Sequence, residues 1–180
     1  MTKQNVTYFE SPNFPKASQK NFESCSLTIL LARDVKQVLV DFLFFELSPP
    51  TAGNCEEDKF VVSGHAVNFQ VPVICGIATG QHSSSFDFLL LFLLNSTFQY
   101  FLVFIDVENS AKIQFYVLTN TASDRAFSIK ITQLRDNLAP QGCLQFHKNS
   151  EGIIKTFNYN DNSQIATVRR PSYFVSKLSQ

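Results

Sequence analysis

Gln37–Phe45 reads QVLVDFLFF. Val38, Val40, Phe42 and Phe44 fall on one face of an extended chain, and Leu39 and Leu43 on the other. That alternation predicts a strand buried on one side and half covered on the other. The same period of two runs outward in both directions. Upstream, Ser26–Leu31 alternates Leu27, Ile29 and Leu31. Downstream, Lys59–Ser63 turns Phe60 and Val62 inward, and Val71–Cys75 is expected to be another short strand. Ile113–Leu118 alternates Ile113, Phe115 and Val117, and Ala126–Leu134 sets Phe127, Ile129 and Ile131 against Ser128, Lys130 and Thr132. Ser11-Pro12-Asn13-Phe14-Pro15, Ser48-Pro49-Pro50, Ala52-Gly53-Asn54 and Thr79-Gly80 punctuate the runs with turn chemistry. No stretch has a long, capped pattern of period 3.6. The expectation is an all-β chain, an antiparallel β-sandwich of jelly-roll type.

Composition narrows the function classes. The chain has 180 residues, 44% hydrophobic and 17% charged, which suits one packed domain with an appendage. The formal net charge is +0, and the densest basic spot is Arg169-Arg170, so there is no basic face for nucleic acid. No Gly-x-Ser-x-Gly elbow, phosphate loop or His-Glu-x-x-His pair occurs, and no assembled site for an enzyme is visible. Met1–Thr7 lacks the apolar run of a secretory leader, so a secreted protein would have to start upstream of this chain. Asn5-Val6-Thr7 and Asn95-Ser96-Thr97 are glycosylation sequons at Asn5 and Asn95.

Phe88–Ile105 carries no charged residue and is near the lower length limit for a membrane span. Its interior Asn95, Ser96, Thr97, Gln99 and Tyr100 weaken that reading. The plainer alternatives are a buried hairpin broken at Asn95-Ser96-Thr97, or an insertion foreign to the fold. Arg135–Gln141 is polar and contains a proline, as a linker does. Beyond it the chain is too short and too polar for a second core, so a poorly structured C-terminal extension is expected.

Taken in order, several motifs resemble one family. They are Tyr8-Phe9-Glu10-Ser11-Pro12-Asn13-Phe14-Pro15, Cys25-Ser26-Leu27-Thr28-Ile29, and Val40-x-Phe42-x-x-Phe45-Glu46-Leu47. Then come Cys55-x-x-Asp58-x-Phe60-Val61-Val62-x-Gly64, Ile74-Cys75-Gly76 and Ala126-Phe127-Ser128-Ile129-Lys130-Ile131. This order resembles a CUB domain, the most specific piece being Cys-x-x-Asp followed by Cys-Gly. The resemblance covers residues 8–134, with 1–7 as an N-terminal extension, 83–104 as an apolar insertion the family lacks, and 135–141 as a linker. Gly142-Cys143-Leu144-Gln145-Phe146 and Lys155-Thr156-Phe157-Asn158-Tyr159 are similar to secreted CUB proteins of arthropods, where a second module opens. Residues 142–180 therefore read as the truncated start of a second CUB-like module.

The resemblance implies a non-catalytic extracellular module that holds a protein or glycan partner by its loops, with no nucleic acid and no membrane. Ser48–Asn54, Ser63–Val67 and Thr119–Asp124 are the loops it points to. A structural piece of a longer secreted protein, or an ectodomain tethered by 88–105, are the alternatives. The resemblance implies a Cys55–Cys75 disulfide; against it stands a zinc site from Cys55, His65, Cys75 and His82, whose spacing matches no ligand pattern. By the same resemblance the partner of Cys25 falls before Met1 and that of Cys143 beyond Gln180. A Cys–His dyad, Cys143 with His147 or Cys75 with His82, lacks the setting that lowers a thiol pKa.

Calcium-binding members imply a metal role for Glu46 and Asp58, with Tyr8 loosely in place of a family tyrosine. A further carboxylate should stand where this chain has Asn120, a neutral oxygen, and calcium affinity falls as ligand charge is lost. Asp106 or Asp124 could substitute. The plainer reading makes Glu46 and Asp58 solvated loop residues.

Overall fold

The alternation of apolar and polar side chains becomes two antiparallel sheets. A computed structural model describes residues 1–18, 24–79, 103–120 and 122–146. Within them lie β1 (Val6–Glu10), β2 (Ser24–Leu30), β3 (Gln37–Glu46), β4 (Asp58–Ser63), β5 (Val103–Asp106), β6 (Lys112–Thr119) and β7 (Ala126–Leu134). One sheet has the order β1-β7-β3-β5 and the other β2-β6-β4. The expected antiparallel β-sandwich is what the chain forms. No helix long and apolar enough to cross a membrane occurs among the described residues.

The sheets meet through phenylalanines. Phe42 and Phe45 of β3 pack edge-on against Phe60 of β4, with ring centres 5.6 Å and 5.8 Å apart, and Phe60 stacks on Phe115 of β6 at 6.1 Å. Ile29, Ile113, Phe127 and Ile129 complete the layer at 0% exposure. All but Phe45 came from the inward face that the alternation predicts.

Three expectations need correction. Phe44 does not face the core: the β3–β7 register shifts between Phe42 and Phe44, and after this bulge Phe45, at 0% exposure, takes the inward place. Phe44 instead packs on Phe14 of the N-terminal turn, 5.8 Å away. Val71–Cys75 is not a strand but a single bridge, Ile74 exchanging both backbone hydrogen bonds with Phe60 (2.8 and 3.0 Å). Pro72 has no N–H to extend the ladder. The third concerns the apolar stretch. Val103 and Phe104 belong to β5, pairing Val40 and Leu39 of β3. Residues 80–102, with His82 and Asn95, lie outside the described residues, as do His147 and residues 148–180.

The outer face of the larger sheet is covered in part, around β5. Ala139 and Cys143 pack on Phe104, with Leu39, Leu134 and Phe146 around them. Gln37, fully buried, donates from Nε2 to Asp106 Oδ1 (2.8 Å) and to the Ala139 carbonyl (3.0 Å), and accepts from Ala139 N–H at 3.2 Å. Gly142 N–H donates to Asp106 Oδ2 at 2.7 Å. Asp106 is thereby committed to fastening the segment after Leu134, at the end of the sandwich away from Glu46.

Cys55 and Cys75 are disulfide-bonded with a sequence separation of 20, so neither is available to zinc or to a dyad with His82. Closing such a loop restricts the unfolded chain by about 3 kcal/mol. The double variant Cys55→Ala/Cys75→Ala should therefore lose about that much stability in urea titration. An unchanged midpoint would mean that the loop is held by its other bonds alone.

Candidate functional site

Four strand ends converge. β3 arrives at Glu46, β4 departs from Asp58, β6 arrives at Thr119 and β7 departs from Ala126; Glu46 pairs with Ala126 and Asp58 with Thr119. The loops Ser48–Asn54 and Thr119–Asp124 therefore share one end of the sandwich. Ser63–Val67, at the far end of β4, does not join them. It turns at Gly64 (φ 86°), where a Cβ would strike the Lys112 carbonyl oxygen, and Ala66 N–H bonds to Asp106 O at 2.8 Å.

Beneath the shared end lies a buried ion pair. Arg125 Nε donates to Asp58 Oδ2 at 3.1 Å, with both side chains at 0% exposure. The same oxygen accepts from Ser48 N–H (2.9 Å) and Ser48 Oγ (2.8 Å). Ser48 Oγ lies 2.7 Å from Ser123 Oγ, which also accepts from Arg125 Nη2 at 3.0 Å. One carboxylate and one guanidinium thus tie the β3–β4 loop to the β6–β7 loop. Charge-assisted bonds of this kind are the strong ones. The remaining oxygen, Asp58 Oδ1, is buried without a hydrogen-bond partner among the described residues.

The other residues singled out from the sequence are spread around this pair. Glu46 and Asn120 are exposed, and Asn120 N–H donates to Glu57 O at 3.1 Å. Asp124 is exposed beside Arg125. Tyr8 stands in mid-β1 opposite Lys130, 56% exposed. Asn5 is exposed at the head of β1. Cys25 packs toward the core between the sheets, whereas Cys143 lies on the outer face of the larger one, so the two thiols are on opposite sides of that sheet. Burial pushes both thiols up, and the carboxylate of Asp106 adds to this for Cys143. Neither is a ready nucleophile.

Arg125 was invisible to sequence reasoning. Standing after Asp124 in a polar loop, it reads as a solvated charge. The only available signal is its place directly before the inward-outward alternation of β7.

The tip of the Ser48–Asn54 loop is a two-residue turn. Thr51 and Asn54 exchange backbone hydrogen bonds of 2.9 Å around Ala52 (φ 49°) and Gly53 (φ 81°). Positive φ at both central residues is the type I′ geometry, which disfavours a Cβ. Ala52→Gly should raise stability by about 0.5–1 kcal/mol, read as a higher urea midpoint with unchanged slope. A lower midpoint would contradict the turn assignment.

No known family profile matches the chain, and no curated protein matches it. Solved structures do. One is the full extracellular region of zebrafish Gpr126/Adgrg6, 17% identical, with TM-score 0.48 over 74% of this chain; the chain spans 14% of that protein's length. Another is the MASP-1 CUB2 domain bound to Ca2+, also 17% identical with TM-score 0.48, covering 73% of this chain and 95% of that one. The sandwich is similar to a CUB domain.

Proposed function

We propose that this chain is a non-catalytic, extracellular CUB-like module that presents the loops Ser48–Asn54 and Thr119–Asp124 to a protein or glycan partner. The observation that carries the reading is the clamp under those loops, in which Ser48 and Ser123 are joined over the buried Asp58–Arg125 pair. Loops already ordered by their scaffold lose less conformational freedom on binding, and binding residues concentrate on such loops. The disulfide favours an oxidising compartment, and exposed Asn5 leaves room for a glycan. Residues 142–180 we read as the opening of a second module, whose first residues pack on this one.

The test uses the full chain, folded oxidatively and displayed as a multimer over arrays of purified extracellular proteins and of glycans. Hits are retested with Glu56→Arg and Asp124→Arg, exposed at the clamped end, and with Val67→Arg, 99% exposed at the other. The first two should weaken binding by about tenfold or more while Val67→Arg leaves it unchanged. The reverse pattern would move the binding face to the Ser63–Val67 end and end this reading.

A further inference from the structure

The family resemblance implies a calcium ion at Asp58, and the side chains around Asp58 do not fit one. Calcium collects several oxygens and gains affinity with their charge. Asp58 Oδ2 already holds three donors: Arg125 Nε, Ser48 N–H and Ser48 Oγ. The guanidinium is permanently charged and wholly buried, so it has no solvent-facing position to retreat to. Only Oδ1 is left to receive an ion. An ion there would share its carboxylate with a guanidinium, in surroundings where little water screens like charges. Of the other residues implied as ligands, Glu46 and Asn120 are exposed, and Asn120 brings no charge.

We infer that Arg125 is the built-in cation of this loop end, occupying by side chain the role that a bound metal ion would fill. It neutralises Asp58, and through Ser123 it fixes the β6–β7 loop to Ser48 of the β3–β4 loop. A metal ion leaves when its concentration falls; a guanidinium on the backbone does not. The presented conformation of both loops is therefore independent of calcium. This concerns the scaffold and stands whether or not a partner is found.

Thermal unfolding of the full oxidised chain is measured in EGTA and in millimolar calcium, with calorimetric titration of calcium alongside. The expected result is one Tm in both solutions and no saturable heat. A calcium-dependent rise in Tm, or binding heat that Asp58→Asn abolishes, overturns the inference. Arg125→Gln removes the cation and keeps polar bulk. It should lower Tm by about 10 °C in EGTA, and Arg125→Lys, which restores the charge without the fork, should recover part of that loss. A Tm for Arg125→Gln equal to that of the wild type would equally overturn it. The wild-type titration decides the matter even if Arg125→Gln does not fold.

Discussion

Arg125→Met should destabilise the sandwich by about 3–5 kcal/mol, among the largest effects any single substitution here can have. The reason is the state in which Asp58 is left. Its carboxylate is wholly buried, one oxygen has no hydrogen-bond partner among the described residues, and the other would keep only Ser48. An uncompensated buried charge costs far more than the pair contributes when intact. The double variant Asp58→Leu/Arg125→Met should for that reason recover much of the loss, because it removes both charges and fills the space with carbon. Urea unfolding of the wild type, both single variants and the double variant completes the cycle. Strong positive coupling is expected. Additive losses would mean that Asp58 and Arg125 act through separate neighbours and that the clamp is not one unit.

Phe60→Ala should cost a similar amount, about 3–5 kcal/mol, by a different route. Phe60 is 1% exposed and touches Phe42 and Phe45 of one sheet and Phe115 of its own, so truncation opens a cavity in the seam between the sheets. The surrounding rings belong to paired strands and cannot collapse into the gap without moving a sheet. The same reasoning separates two neighbours in sequence. Phe45→Ala should approach the Phe60 value, whereas Phe44→Ala, which loses a half-buried contact with Phe14, should cost only about 1 kcal/mol. Chemical denaturation of the three variants checks the order. Equal losses at Phe44 and Phe45 would deny the bulge that distinguishes them.

Much of the fold was legible because strand burial has a period of two and these residues obey it. Leu27 and Ile29, Phe60 and Val62, Ile113, Phe115 and Val117, and Phe127, Ile129 and Ile131 all point as their alternation requires. The bulge in β3 was not legible, since a single extra residue inverts the phase locally and only pairing with β7 reveals it. Nor was the fate of Leu39. Its half-apolar face called for a cover, but that the cover is Ala139–Phe146, pinned by Gln37 and Asp106, depends on residues 102 and 36 positions apart meeting.

The candidate site divides in the same way. The pattern of Cys55, Asp58 and Cys75 marked the start of β4 as chemically special, and the disulfide formed as the resemblance implied. Sequence alone determined the all-β class of the chain and the inward faces of its strands outside the β3 bulge, because each is written in local spacing. Only the tertiary structure decided which charge answers Asp58 and which loops share an end. Arg125 lies 67 residues from Asp58, and nothing in local spacing couples them. They meet because β4 and β7 both start at the same end of the sandwich, where a buried carboxylate must find a partner of opposite charge.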